Sequence, residues 1–423
     1  MIDHPVLSLG VSKDLSAIPK LLNYLRSNDY NNSSNARQAL WSFGGNFWDV
    51  DKNGETIIPD LIKASTSSDK RQVISAIWAL HHLAERELLT TPEFKIQSVT
   101  VLIDKLDDED ADIRLSTVHA CLRLKNSRIV PPLVRRLNDE DRLIVLRTAE
   151  VLGFLQYKRA VPALLQTLTS NSDMLVQHRI ISALGSIKAS KAVPVLIEIL
   201  HNGTGYLRGS AAFALGGIGD KQATTDLLKA LHIESNQETR EWIVVGLGRL
   251  KDKRAVPNLV KVLNDIGSNA KFTYKIRDNT AFALGEIKDE AAISALIEAT
   301  HTAPEWQVRM AAVDALAFMG KPEDAAARLV DILLNHKISD VRAIAAKDLG
   351  YLGKASKEVT LRDHIVLNLI KSLSDKGEGF HYRGLVCNEA AHSLAHIRTR
   401  EALKALEEWC KGQLQTGGGV NLP

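Results

Sequence analysis

Cysteine is scarce in this chain. Only Cys121, Cys387 and Cys410 occur in 423 residues. They are odd in number and far apart, so neither a disulfide framework nor a CxxC zinc site is expected, and a reducing, cytoplasmic compartment is. Long apolar runs are missing too. No stretch approaches the roughly 18 apolar residues that cross a bilayer, and Met1–Gly10 lacks a basic segment leading into an apolar one. No membrane span and no signal peptide are therefore expected. Charge of one sign is also absent. A net charge of +3 falls far short of the basic excess of a typical nucleic-acid binder, so no nucleic-acid partner is expected. No GxxxxGK[ST] or GxGxxG loop is present, and the Gly-rich run Leu215–Asp220 reads as helix capping. The 13 histidines include no His-Glu dipeptide; His81-His82 and the His392/His396 pair have metal-compatible spacing, but no metal site is assigned. Cys121 and Cys387 read as small buried hydrophobes.

What is present is repetition. KRAVPALLQTL from Lys158, SKAVPVLIEIL from Ser190 and KRAVPNLVKVL from Lys253 recur, and QATTDLLKAL from Gln222 is a degenerate copy. A small-Leu-Gly phrase closes each unit at Gly153, Gly185, Gly216, Gly248, Gly285 and Gly350. The first five of these glycines are 32, 31, 32 and 37 residues apart. A period near 32 with two apolar-periodic helices per unit predicts an all-α chain, an α-solenoid. Pro162, Pro194 and Pro257 sit in a first helical turn, where the missing N–H costs nothing. Small residues such as Ala211, Ala212 and Ala214 let neighbouring helices approach, and the closing Gly is expected to supply a left-handed cap. The copies place one solenoid over residues 1–414. Its N-terminal repeats are degenerate to about residue 90, its regular repeats run over about 91–356, and a degenerate repeat and cap fill about 357–414. Residues 415–423 are expected to form a flexible tail.

YLRGSAAFALGGIGD (Tyr206–Asp220), KIRDNTAFALGEIKD (Lys275–Asp289) and VRAIAAKDLGYLG (Val341–Gly353) carry a resemblance to HEAT repeats, specifically those of the phycobilisome-lyase class. The resemblance covers nearly the whole chain. It implies a right-handed solenoid of about eleven helical pairs. It points to the E/F type of phycobilin lyases, cytosolic enzymes that attach a bilin to a cysteine of a phycobiliprotein subunit through a thioether. One continuous chain of this length is similar to the single-chain members acting on phycoerythrin, some of which also isomerise the bilin. The implied reaction adds the acceptor thiol to the exocyclic ethylidene of ring A. The implied partners are the phycobiliprotein subunit and the linear tetrapyrrole, a substrate, with no further cofactor. The competing reading is a non-catalytic adaptor that holds a protein partner in the same groove.

The second helix of each unit can be registered on an Arg eight residues before the closing Gly: Arg208, Arg240, Arg277 and Arg342, with Arg114 and Arg309 where the Gly is replaced. Positions one, two and five after this Arg share one helix face. Position five reads Trp41, Trp78, His119, Glu150, Ser182, Phe213, Val245, Phe282, Asp314, Lys347 and His392. Four of these eleven are aromatic in a chain that is 5% aromatic, which marks the face as a candidate groove. Positions one and two add Arg147, Arg179, Glu241, Trp242 and Asp278, while Tyr206 and Tyr274 precede their helices.

Flat rings, cationic forks and carboxylates suit a large conjugated ligand with polar edges. The expected bilin contacts are Tyr206, Arg208, Phe213, Arg240, Trp242, Tyr274, Arg277, Phe282, Trp78, Arg147 and Arg179. The expected proton-handling group is Asp278, otherwise Glu241 or Asp314. Each has a plainer alternative. The aromatics can be core, the carboxylates solvated surface, and the recurring Arg a ladder between repeats.

Overall fold

The computed structural model describes residues 5–27, 29–50, 54–88, 91–124, 126–265, 270–377 and 386–415. Among them every regular element is a helix, and eleven first-helix/second-helix pairs follow one another, closed by a last helix, Arg400–Gln415. Repeat 1 pairs Ile18–Leu25 with Tyr30–Trp48, and repeat 11 pairs Val359–Lys371 with Val386–Ile397. The chain is thus an α-solenoid, as the period predicts. None of its described helices is long and apolar enough to cross a membrane. The expected tail falls on residues 416–423, which lie outside the described residues.

Local chemistry starts each helix. First helices carry proline in their first turn in repeats 1 to 6, 8 and 10. Second helices of repeats 1 to 5 open on an aspartate cap. Asp110, Asp141 and Asp173 each accept from the backbone N–H two residues on, at 2.8 Å, a contact worth about 1 kcal/mol.

The closing glycines behave differently from the expectation. Their backbone is helical, and the left-handed residue comes three positions later, at Gln156, Lys188, Gly219, Lys251 and Lys288. The glycines are needed for close approach. A Cβ on Gly153 would sit 2.8 Å from Ala183 Cα, and one on Gly216 would sit 2.7 Å from Gly246 Cα.

The array divides into two compact units, Met1–Pro194 and Val195–Pro423. In the first, the second helices of repeats 1 to 5 stack in order: Tyr30–Trp48, Lys70–Glu85, Ala111–Ala120, Arg142–Phe154 and Met174–Ile187. In the second, Gly205–Ile218, Gln237–Leu250, Ala270–Ile287, Trp306–Ala317, Ser339–Ala355 and Val386–Ile397 (repeats 6 to 11) do the same. Leu, Ile and Ala fill the layer between first and second helices; Leu184, Leu215, Leu247 and Leu284 are fully buried.

Candidate functional site

The recurring arginine builds the fold. Arg208 donates from Nε and Nη2 to the two carboxylate oxygens of Glu234, at 2.7 and 3.0 Å, and from Nη1 to the Gly203 carbonyl. Arg114 grips Asp139 in the same bidentate way (2.9 and 3.0 Å), as Arg342 grips Asp375 (2.7 and 3.0 Å). Arg277, fully buried, bonds Glu305 and the Leu263 carbonyl. Each ties the end of its own first helix to an acid just past the first helix of the next repeat. The expectation that Arg208 and Arg277 bind a ligand is therefore corrected: their guanidinium forks are already occupied. Arg240 holds the same position, yet its Nε finds no partner among the described residues.

With those two removed, a tighter cluster remains in the C-terminal unit. Phe213 and Trp242, on adjacent second helices, meet edge to face with centroids 5.2 Å apart. The Arg249 guanidinium carbon lies 3.8 Å over the Phe213 ring. Trp242 rests against Gly209, where a Cβ would stand 2.9 Å from the indole Cδ1. Trp242 (41%), Phe282 (49%) and Tyr206 (49%) are all open to solvent, so these rings are surface and not core. The Tyr274 side chain lies outside the described residues.

Two carboxyls share this surface. Asp278 is pushed up to about 6, chiefly by burial, with the Glu241 charge adding to it. Its bond from the Asn279 N–H and the field of Lys275 oppose that shift without cancelling it. Glu241 is also raised, again by burial, with Lys275 pulling it down. An Asp that titrates near neutrality can both give and take a proton at working pH.

Asp314 is placed differently from the expectation. It accepts from Lys347 Nζ at 3.1 Å, and Lys347 also lies 3.6 Å from Asp348. Asp348 is the unusual member. Burial and the Asp314 charge raise its pKa strongly. Register reasoning missed it because it falls on position six, one place off the face considered.

Trp78, Arg147 and Arg179 lie in the N-terminal unit, whereas the aromatic–carboxyl cluster lies wholly in the C-terminal one. Trp78 is 2% exposed, packed against His81 and His119. Arg147 donates to Glu150 (2.6 Å) and Ser33 (3.1 Å). Arg179 is half-buried, and its charge helps burial hold His178 low. The Cys121 thiol is pushed up to about 12 by burial, and Cys387 is raised for the same reason. His396 Nε2 lies 3.1 Å from Lys354 Nζ. Among the described residues no group of three or more His, Cys, Asp or Glu is placed to hold a metal.

The HEAT-repeat family model matches residues 99–185, 146–209, 193–269 and 269–350, more than half of the chain. The chain belongs to the HEAT-repeat family. No curated protein matches the sequence. Among solved structures, this HEAT array is similar to the CpcE–CpcF phycocyanin lyase complex of a Nostoc species. That match has 22% identity over 57% of this chain and 92% of that one, at a TM-score of 0.35. It is similar to a karyopherin bound to the extreme C-terminus of a protein phosphatase (14% identity, 98% of this chain, TM-score 0.54). It is also similar to importin beta (12% identity, 96% of this chain, TM-score 0.53). This chain spans 54% and 63% of those two proteins. At such identities the likeness shows the fold alone.

Proposed function

We propose that this HEAT array is a cytoplasmic phycobilin lyase, joining a linear tetrapyrrole to a cysteine of a phycobiliprotein subunit. The observation that carries the reading is the juxtaposition, on one unit, of the exposed rings of Trp242 and Phe282 and the half-buried ring of Phe213 with the raised carboxyls Asp278 and Glu241. It adds to the resemblance of the repeat sequences to that lyase class. Open rings offer stacking faces to a conjugated chain. Arg240, Arg249 and Lys275 supply cations for its propionates in place of Arg208 and Arg277. In the reaction, the partner's thiol sulfur bonds to the ethylidene carbon of ring A. The electron pair of the double bond moves into the ring system, and Asp278 delivers a proton to the ring carbon. The sum is S–H added across C=C, with no oxidant needed. A lyase that also isomerises needs the same carboxyl to return a proton to one carbon after taking it from another.

The test is spectroscopic. The full chain mixed with phycoerythrobilin or phycocyanobilin should shift and sharpen the bilin absorbance, and adding an apo-phycobiliprotein subunit should yield a denaturation-resistant adduct. Removing one stacking ring, as in Trp242→Ala or Phe282→Ala, should weaken bilin binding by about 1–3 kcal/mol. Folded variants at all three rings that bind bilin unchanged would remove this site. A wild-type chain that leaves the bilin spectrum untouched would remove the lyase reading and favour an adaptor for a protein partner.

A further inference from the structure

The N-terminal unit carries a row of cations along one edge. Each of repeats 3 to 5 reaches the next repeat through a turn in which its second helix ends and a short 3-10 turn starts the following first helix. These three successive turns, residues 121–130, 153–161 and 185–193, hold seven Lys or Arg and no Asp or Glu. The side chains of Arg128, Lys158, Arg159, Lys188 and Lys191 are all exposed, and none of the five pairs with an acid among the described residues.

The same phrase elsewhere in the chain shows how such cations are otherwise neutralised. At Lys253-Arg254 the turn opens on Asp252, which accepts from the Arg254 backbone N–H at 3.0 Å and from its Nε at 2.9 Å. Asp289 lies 3.8 Å from Lys253, and Glu286 lies 3.3 Å from Lys251. At Lys158-Arg159 the capping place is held by Tyr157, and before Lys191 by Ala189; neither caps through its side chain. Asn126 caps the remaining turn without bringing a charge. Lys158, Arg159 and Lys191 therefore stand where ten-residue first helices begin, at the positive end of the helix dipole, with no carboxylate to offset them. The first N–H groups there also lack a side-chain acceptor. A carboxylate supplied from outside relieves both.

We propose that this edge docks an acidic segment of a partner protein, whose Asp and Glu side chains meet the cations of the three turns. Stacked helices lie about 10 Å apart, so the row is about 20 Å long. An extended segment rising about 3.3 Å per residue crosses it in about six residues. The row is bounded, because the turn before it carries Glu85 and Glu87. A long polyanion would run past that end into repulsion. A single-stranded nucleic acid also needs successive rings for its bases, whereas the exposed ring of these turns is Phe154. The edge shares no residue with the Phe213–Asp278 cluster and does not depend on the bilin reading.

The probe is fluorescein-labelled decaglutamate, followed by fluorescence anisotropy as the full chain is added at low salt. It should bind saturably and weaken as salt rises. Lys158→Glu combined with Lys191→Glu reverses two charges that have no acidic partner, so this variant should melt close to wild type and bind about tenfold more weakly. Lys404→Glu combined with Lys411→Glu changes the net charge equally on the last helix, and should bind within about twofold of wild type. Carbodiimide coupling of the bound peptide to wild-type chain, mapped by mass spectrometry, should place the new amides on Lys158, Lys188 and Lys191. That map decides the matter if the Lys158/Lys191 variant fails to fold. No saturable binding, amides mainly on other lysines, or equal weakening in the Lys404/Lys411 variant would overturn the proposal and leave a solvated surface. A ten-nucleotide oligo(dT) or phosphatidylserine vesicles that displace the peptide at lower concentration would also overturn it, assigning the edge to phosphates.

Discussion

Asp278 and Asp139 are the same residue type moved in opposite directions by their surroundings. Burial opposes ionisation at both. At Asp139 the bidentate Arg114 overrules it and holds the carboxyl below its ordinary range, whereas at Asp278 no cation among the described residues forms an ion pair and the pKa rises to about 6. The sign of linkage follows. A carboxyl raised on folding binds its proton better in the folded state, so its contribution to stability declines as pH rises from about 4 to about 6. Asp278→Asn should flatten that part of the profile and raise the melting temperature at pH 7.5, measured by thermal denaturation across pH. It should also slow bilin transfer about 10²–10⁴-fold while bilin binding stays nearly intact. Full transfer with Asn at both Asp278 and Glu241 would leave the chain a positioning device. Helical spacing alone brought Asp278, Glu241, Phe213, Trp242 and Phe282 to one face. Arg249, Lys275 and Asp348 were not legible, because long side chains cross to neighbouring helices and burial depends on what those helices present.

The repeats are held at their spacing by close backbone approach. Gly153, Gly216, Gly248, Gly285 and Gly350 lie where the next second helix crosses, so the motif reports packing and not the left-handed turn. Lysine takes that turn at 188, 251 and 288, since one strained residue per repeat is tolerable where a clash between backbones is not. Gly216→Ala would drive a Cβ to 2.7 Å from both Gly246 Cα and the Gly246 carbonyl oxygen. Two helix backbones must then separate. The cost should be about 1–3 kcal/mol in urea denaturation, against a gain near 1 kcal/mol for the same change on an unpacked helix. A stabilised Gly216→Ala chain would refute the packing role.

Across the molecule the arginine–acid ladder makes stability depend on pH in the opposite sense from Asp278. Asp139, Glu234 and Asp375 all titrate below their ordinary values of 3.8, 4.5 and 3.8. Burial pushes the first two up before their arginines pull them lower, and Arg342 leads at Asp375. Their contribution is fully present above those ordinary values and is lost as pH falls through the depressed ones. Arg114→Ala strands a carboxylate whose side chain is 1% exposed, with Arg136 at 3.1 Å as its remaining cation. It should cost about 3 kcal/mol at pH 7, and the deficit should shrink below about pH 4 as Asp139 takes up its proton. A deficit independent of pH would argue against an ionic ladder.

The period near 32, the prolines and the apolar spacing were sufficient to determine an all-helical repeat array, because each acts within a turn or two of helix. The sequence also raised the ladder as one of two uses for its recurring arginine. Tertiary structure decided between them, since the acid that occupies each guanidinium comes from the next repeat, 25 to 33 residues on. It alone divided the array at Pro194 and Val195. It alone gathered Trp41, Trp78 and His119 around one cavity. Burial and the pairing of charges are properties of neighbours in space, and only the stacked helices specify those neighbours.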